Sequence, residues 1–326
     1  MVECRLTALD KRKSAAIFPA FGCRYLGHER EILAALSGDL PELLAMAAAE
    51  IGFDTEEFYS RPEGDFADEL QSQYAVYIYS CAVSNLLKKN GLFPEYASGY
   101  SMGLYAALYH AESITFSQGL DLIGQAYESI STVASAIDFG VGAVSGLELP
   151  DIRELLASAG DAEIINVNNR HSFLIAGYGA AIRDILGRAK DRGALNARLL
   201  DFRSPYHSRF MDRAAGRFAE FLQSMRLRDP SCVILSTIDQ REITGADELA
   251  RDLVENINHP INWLGTMERL VGSGVDTFIE CGPGKSLHRI ARFIEGDFET
   301  HTINTLRSLI GAPAPIRQTS ARLDAI

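Results

Sequence analysis

The sequence predicts an α/β fold, in which a large domain with a parallel sheet at its core carries a smaller inserted subdomain. Short apolar segments alternate with helix-like segments in both halves of the chain. Near the middle, the predicted order becomes β-α-β-β-α-β over about 65 residues, which is the ferredoxin-like arrangement. A chain of 326 residues is long enough for both parts. The predicted boundaries are 1–132 and 201–310 for the large domain, 133–200 for the ferredoxin-like subdomain and 311–326 for a C-terminal tail.

The first part of the large domain begins with the apolar segment Ala15–Phe18, which predicts a strand. Residues 55–68 are polar and predict a loop. Apolar residues at helical spacing predict the helices that follow. These helices are 29–50, interrupted near Gly38 and Pro41, then 71–87 and 117–131.

The remaining elements are predicted from the same kinds of pattern, with alternation or apolar runs for strands and helical spacing for helices. In the subdomain, the strands are 140–146, 162–167, 173–177 and 197–200, and the helices are 151–157 and 180–192. In the second part of the large domain, the strands are 233–236 and 277–280, and the helices are 211–227, 247–257, 263–272 and one that starts at Ser286. The tail carries Pro313 and Pro315 and few large apolar residues.

The most informative stretch is Gly99-Tyr100-Ser101-Met102-Gly103, which has the Gly-x-Ser-x-Gly pattern of a nucleophile elbow. A strand is predicted before it and a helix from Met102–Gly103 onward, which is the context that the motif requires. Small residues must flank the serine, because a Cβ at either glycine would clash in so tight a turn. The large domain is therefore expected to be α/β-hydrolase-like, with Ser101 as a candidate nucleophile above a helix N-terminus.

A serine nucleophile needs a base, and the best candidate is His207, on a predicted loop just before a helix. The residues alone leave open whether His207 is that base or an ordinary surface-loop histidine. His110 is predicted at the far end of the elbow's helix, where a structural role is expected.

Composition excludes several function classes. The net charge is −12 and no broad basic stripe is present, so nucleic acid is not an expected partner. The sequence contains no run of about 18 apolar residues, so no membrane span is predicted. The N-terminus lacks an apolar signal-peptide core. The five scattered cysteines indicate reduced thiols and a cytoplasmic location. The dispersed histidines predict no metal site, and no glycine-rich string completes a nucleotide-binding pattern.

Over residues 15–305, the chain resembles the malonyl-CoA:acyl carrier protein transacylases and the acyltransferase domains of polyketide synthases. Each motif is weak alone, but their order and spacing together are specific. The motifs are Phe18-Pro19-Ala20-Phe21-Gly22, Ser72-Gln73, Gly99-Tyr100-Ser101-Met102-Gly103, Ser204-Pro205-Tyr206-His207-Ser208 and the segment from Phe278 to Lys285.

The resemblance implies a ping-pong acyltransferase with acyl-CoA and an acyl carrier protein as partners and no permanently bound cofactor. It implies that Ser101 carries the acyl group and that His207 is the base. The oxyanion hole would be the backbone N–H groups of Phe21 and Met102, and the carbonyl of Asn256 would orient His207. The implied substrate-binding residues are Gln73, Tyr100, Gln125, Ala126, Asn166 and Tyr206. Asn166 and Asn168 would face the active site, although turn asparagines are an equally good reading.

The chain departs from the family at the arginine that holds the malonyl carboxylate. That position falls on Ala126, or on Gln125 with a one-residue slip. An unpaired carboxylate in a closed pocket costs several kcal/mol. The departure therefore predicts an uncharged acyl group, acetyl or larger, and Tyr100 in place of the family's histidine changes the pocket further.

An acidic carrier protein predicts a locally basic docking patch, for which Lys285, Arg289 and Arg292 are candidates, although a solvated helix face would look the same. Three alternatives to acyl transfer stay open. They are an acyl hydrolase that uses the same Ser101–His207 pair with water, a catalytically silent docking module, and an unrelated α/β-hydrolase. The silent module does not need an intact pair, and an α/β-hydrolase would carry an HGGG-type loop, which is absent.

Overall fold

The computed structural model describes residues 12–21, 39–60, 68–158, 161–201 and 204–309. The predicted tail 311–326 and the first part of the helix predicted at 29–50 lie outside these residues. The strands are β1 Ser14–Phe18, β2 Tyr96–Gly99, β3 Phe139–Ser145, β4 Ala162–Asn169, β5 Ser172–Tyr178, β6 Asn196–Leu199, β7 Val233–Leu235, β8 Glu242–Ile243, β9 Ile261–Asn262, β10 Thr277–Glu280 and β11 Glu299–His301.

The helices alternate with these strands through most of the chain. They are α1 Asp39–Ile51, α2 Thr55–Ser60, α3 Glu69–Lys89, α4 Gly103–His110, α5 Phe116–Ala134, α6 Leu149–Ala157, α7 Gly179–Asp191, α8 Asp212–Leu222, α9 Ala246–Asn258, α10 Trp263–Gly272, α11 Ser286–Ala291 and α12 Ile303–Leu309.

The larger sheet has the order β11-β10-β1-β2-β7-β8 and is parallel except for the edge pair β7–β8. Its central strand, β1, is apolar on both faces. Ala16 and Phe18 belong to the cluster that contains residues of α3, α4 and α5, and Ala15 and Ile17 to the cluster that contains residues of α10 and α11. A parallel sheet covered by helices on both sides needs such unbroken apolar strands. The carboxyl ends of β1, β2 and β10 therefore meet at one edge, where the elbow lies.

The smaller sheet has the order β6-β3-β5-β4-β9. The first four strands, with α6 and α7, have the ferredoxin-like topology that the sequence predicts, and the predicted fold class is confirmed. The fifth strand, β9, comes from the second part of the large domain and pairs parallel to β4. This pairing links the smaller sheet to a segment of the large domain close to the elbow. The exact domain boundaries stay a prediction.

Four details of the predicted elements are wrong. Pro41 does not interrupt a helix, because it lies in the first turn of α1, where a missing N–H costs no hydrogen bond. Part of the predicted loop 55–68 is helix α2, which buries Phe58. The helix predicted to reach residue 227 ends at Leu222, after which Ser224 and Met225 donate to carbonyls three residues earlier. Strands β8, β9 and β11 are too short for a periodicity to indicate them.

We predict that Gly103→Ala lowers the free energy of unfolding by about 3 kcal/mol, because overpacking against backbone cannot be relieved by a side-chain rotation. A Cβ on Gly103 would lie 2.1 Å from the carbonyl oxygen of Phe18. The measurement is urea unfolding followed by circular dichroism. Gly187→Ala is the matched control, because Gly187 lies in α7 with no atom within 4 Å of the added Cβ. That variant should be stabilised by about 0.5–1 kcal/mol. Equal unfolding midpoints for the two variants would contradict the prediction.

Candidate active site

Ser101 lies in the turn between β2 and α4, with a left-handed backbone conformation at φ 57°. Both flanking glycines are required by close backbone contacts. A Cβ on Gly99 would lie 2.1 Å from the nitrogen of Leu104, and one on Gly103 would strike Phe18. The N–H of Tyr100 donates to the carbonyl of Phe18 at 2.9 Å, which ties the turn to β1. A strained, over-determined residue of this kind is typical of a functional site.

The His207 side chain meets Ser101 although 106 positions separate them, and Oγ of Ser101 lies 2.7 Å from Nε2 of His207. His207 also has a left-handed backbone, at φ 63°. Its N–H donates to the carbonyl of Ile257 at 2.9 Å, so the end of α9 holds the loop in place. Burial lowers the pKa of His207 to about 4, so the imidazole is neutral at neutral pH. A neutral imidazole can accept the serine proton.

Asn256 holds both partners of this pair. Its backbone carbonyl interacts with the imidazole of His207 and favours the charged form, which raises the pKa against the larger effect of burial. Nδ1 of His207 makes no hydrogen bond of ordinary geometry within the described part of the chain. The carbonyl is therefore a weaker contact in this state than a full hydrogen bond. The side-chain amide of Asn256 donates to the carbonyl of Ser101 at 3.3 Å, a contact that the motif does not predict.

A buried polar cluster lies behind Asn256 on α9. Oδ1 of Asp252 accepts hydrogen bonds from Oγ of Ser236 at 2.6 Å and from Nη2 of Arg241 at 2.9 Å. Arg241 also donates to Glu255 at 3.0 Å. Burial raises the pKa of Asp252 to about 6. The cluster fixes α9 against β7 and thereby the position of Asn256. Sequence reasoning misses it, because Asp252 and Glu255 look like ordinary polar residues of an amphipathic helix.

A narrow cavity opens beside Ser101, with a volume of about 20 Å³, which is room for about one water molecule. Of the predicted substrate-binding residues, Gln73, Ala126 and Tyr206 line it, together with Phe21 and Met102. Among the described residues that line this cavity, none carries a lysine or arginine side chain.

The structure distinguishes the two positions predicted for the missing arginine. Ala126 lines the cavity and is buried. Gln125 points elsewhere, since its Nε2 donates to Glu128 at 3.5 Å in an exposed contact. Adjacent residues of a helix point about 100° apart, so of the two only Ala126 lines this cavity, and a role of Gln125 in binding substrate stays a prediction.

Tyr100 and Asn166 are not among the described residues that line the cavity, and their role in binding substrate stays a prediction. The hydroxyl of Tyr100 donates to Oδ1 of Asn168 at 2.6 Å and accepts from Nδ2 of Asn166 at 2.7 Å. The asparagines are buried residues of β4 and not turn residues. These contacts fasten the elbow to the smaller sheet, and the Tyr100 ring also packs edge-on against Trp263.

Met102 is the residue that precedes α4, and no described residue accepts a hydrogen bond from its backbone N–H. Phe21, the other predicted oxyanion donor, lines the same cavity and packs edge-on against Tyr206, with ring centroids 6.2 Å apart. An N–H at a helix N-terminus next to a nucleophile is suited to a developing oxyanion.

The model of the acyl transferase domain family matches residues 45–292 of the chain. The chain belongs to this family. It is therefore an acyltransferase, and the family predicted from the motifs is confirmed. The acyltransferase is 27% identical over 307 residues to the malonyl CoA-acyl carrier protein transacylase of Staphylococcus aureus (strain MW2), which covers 92% of this chain and 98% of that protein.

Solved structures resemble this acyltransferase over the same length. One is an acyl-carrier-protein S-malonyltransferase from Burkholderia pseudomallei 1710b, with TM-score 0.84, 25% identity, and coverage of 92% of this chain and 99% of that one. Another is a malonyl-transacylase in complex with its type II PKS acyl-carrier protein, with TM-score 0.85, 24% identity, and coverage of 92% and 98%. The second likeness concerns the fold alone.

Within the described ranges, no group of three His, Cys, Asp or Glu side chains could hold a metal ion. No helix in those ranges is long and apolar enough to cross a bilayer. His110 is buried at the end of α4, where Nδ1 lies 2.8 Å from Oγ of Ser84, so it has the structural position that the sequence predicts.

The lowered pKa of His207 predicts an unusual pH profile for the modification of Ser101 by a sulfonyl fluoride. The neutral imidazole activates the hydroxyl, and its proton-bound form dominates only below about pH 4. The modification rate at pH 5.5 should therefore stay close to that at pH 8, whereas an ordinary histidine would make it about tenfold slower. Intact-mass kinetics between pH 5 and 8 measure the rate, and Ser101→Ala provides the background. A half-maximal rate near pH 6.5 would rule the shift out.

Proposed function

We propose that this acyltransferase moves an acyl group from a coenzyme A thioester, through an acyl ester on Ser101, to the pantetheine thiol of an acyl carrier protein. The observation that carries the proposal is the 2.7 Å contact between Oγ of Ser101 and Nε2 of a neutral, buried His207. A catalytically silent docking module has no need of this contact or of the strained turn that presents the serine. The names of the similar proteins supply the two thiol partners.

In the first half-reaction, Nε2 of His207 takes the proton of Ser101 as Oγ attacks the thioester carbonyl. The N–H groups of Met102 and Phe21 receive the oxyanion, and losing one such donor typically costs about 2.7–4 kcal/mol of barrier. The tetrahedral intermediate collapses, the carbon–sulfur bond breaks and the thiolate leaves with the proton held by His207. In the second half-reaction, His207 takes the proton of the pantetheine thiol as its sulfur attacks the Ser101 ester. The ester C–O bond then breaks, and Oγ of Ser101 takes the proton back from His207.

We propose further that the acyl group is uncharged. Ala126 lines the cavity, and the resemblance to the family puts at this position the arginine that holds the malonyl carboxylate. A carboxylate placed there would lose its water without gaining a cation, at a cost of several kcal/mol. The named relatives are malonyl enzymes, so this part of the proposal separates the chain from them and rests on the cavity alone.

The test is intact-protein mass spectrometry after incubation with acetyl-CoA, acetoacetyl-CoA and malonyl-CoA. We expect the mass increase from the uncharged groups to be at least about tenfold faster than that from malonyl. A desolvation cost of only about 1.36 kcal/mol for the malonyl carboxylate already corresponds to a tenfold difference in rate. Acetoacetyl matches malonyl in heavy atoms, so it separates charge from size. Ser101→Ala should take up no acyl group. A faster reaction with malonyl than with both uncharged groups would refute the uncharged substrate but leave the transfer reaction standing.

Hydrolysis is the competing fate of the acyl-serine, because water can attack the same ester with His207 as base. The same experiment distinguishes the two, when holo and apo forms of a carrier protein are added to the loaded enzyme. Transfer predicts that the acyl group moves to the holo carrier and stays on Ser101 with the apo form. Equal loss of the acyl group with both forms would show a hydrolase instead.

We propose that Lys285, Arg289 and Arg292 form the carrier-docking patch. All three are exposed, and after burial it is their charges that lower the pKa of His288, which supports their lying near that side chain. Helix α11 starts at the carboxyl end of β10, the same sheet edge as the elbow. Phe293 beside them is 71% exposed, and an apolar side chain among cations suits an acidic, partly apolar partner.

Reversing the charges with Arg289→Glu and Arg292→Glu together should raise the KM for the carrier at least about fivefold while leaving the KM for acyl-CoA unchanged, because rim charges act mainly on encounter with the partner. Steady-state transfer kinetics measure both constants. The control is Arg213→Glu with Arg217→Glu on α8, which makes the same change in net charge on another exposed helix. The patch is rejected when both double variants change the carrier KM equally.

A further inference from the structure

Glu69 is the first residue of α3 and lies one helical turn before Gln73. Its Oε1 accepts a short hydrogen bond from the hydroxyl of Tyr206 and a longer one, at 3.4 Å, from Nε2 of Gln73. Both donors line the Ser101 cavity. The carboxylate therefore lies directly behind two walls of the site, in a part of the chain to which no motif draws attention.

Within the described part of the chain, no lysine, arginine or histidine forms an ion pair with Glu69, and the groups that shift its pKa there are Tyr206, Gln73 and Asp68. Its stabilisation comes from the phenol, the amide and the N-terminal end of α3. Burial and the neighbouring Asp68 raise the pKa of Glu69. Burial first, and then the charge of Glu69, raise the pKa of Tyr127, a third residue that lines the cavity. Three residues that line the cavity thus contact or sense the same negative charge.

We propose that Glu69 sets the charge selectivity of the acyl cavity and repels acyl groups that end in a carboxylate. The inference rests on the proposed acyl transfer through Ser101 and deepens it, because a missing arginine only removes an attraction. A carboxylate that no cation among the described residues balances adds a repulsion, which in the low dielectric beside a buried site acts over several ångströms. If Glu69 repels the acyl carboxylate, removing its charge while Ala126 is kept should weaken the discrimination against charged acyl groups. If the discrimination comes only from the missing arginine, removing the charge of Glu69 should leave it unchanged.

Glu69 also positions Tyr206, whose ring packs against Phe21 and whose neighbour in sequence is His207. A structural role must therefore be separated from the role of the charge. Glu69→Gln keeps an oxygen that accepts from Tyr206 and removes the charge. Tyr206→Phe removes the hydrogen bond and keeps the charge. Asp68→Asn removes an exposed charge one residue away and keeps a side chain suited to cap α3, where Asp68 accepts from the N–H of Gln71.

The experiment measures single-turnover acylation of Ser101 by malonyl-CoA and by acetoacetyl-CoA in the full chain and the three variants. The ratio of the two rates reports charge and cancels changes that affect acylation generally. We expect Glu69→Gln to raise the ratio of the malonyl rate to the acetoacetyl rate about tenfold. This is the effect of one charge about 10 Å away in an effective dielectric of about 20. Asp68→Asn and Tyr206→Phe should leave the ratio within about twofold of the unmodified chain, since neither removes the charge of Glu69.

An unchanged ratio in Glu69→Gln would overturn the inference, and so would an equal rise in Tyr206→Phe. Failure of the proposed function gives a different result, in which neither thioester places an acyl group on Ser101. Preferred loading of malonyl by the unmodified chain would refute the uncharged substrate, and the ratio in Glu69→Gln would still decide whether the carboxylate opposes the anion. Circular dichroism and the unfolding midpoint of each variant show that the folded chain is being compared.

Discussion

The close approach of the elbow to β1 is the constraint on which the rest of the structure depends. Gly103 packs against the carbonyl of Phe18, and the N–H of Tyr100 donates to that same carbonyl. These two contacts leave Ser101 in a left-handed conformation that a free chain would avoid. The packing of the elbow against the sheet stabilises this conformation. The Ser101 hydroxyl therefore lies at the sheet edge in the folded protein, and no conformational change is needed to present it.

The base is held by a different set of contacts, all of which pass through the end of α9. The carbonyl of Ile257 accepts a hydrogen bond from the N–H of His207. Asn256 contacts the imidazole of His207 through its backbone and the carbonyl of Ser101 through its side chain. The buried cluster of Asp252, Arg241 and Ser236 fixes that helix against β7. A charged group deep behind the site is costly unless it is fully paired, and here the pairing serves to place a neutral histidine to within hydrogen-bond distance of a serine.

The charges around the cavity differ from what the names of the relatives suggest. The described residues that line it include tyrosines, an amide and apolar side chains, with the carboxylate of Glu69 directly behind them. The family's fold and nucleophile are compatible with acyl groups of either charge, because the serine chemistry takes place at the thioester carbonyl. The selection that we propose acts at the far end of the acyl group, where a few side chains change the electrostatics without disturbing the elbow.

The sequence by itself determined the features that depend on neighbouring residues. The elbow, the ferredoxin-like order of elements and most helices follow from local patterns. The pairing of Ser101 with His207 is implied only by the resemblance to the family, which rests on motifs in a set order. Only the tertiary structure decided which side chains converge. It placed Ala126 in the cavity and Gln125 outside it, turned Tyr100 toward Asn166 and Asn168, and brought Glu69 to Tyr206 across 137 positions. Such contacts have no local signature, because they arise when distant strands and helices pack together, and the direction of each side chain is fixed only then.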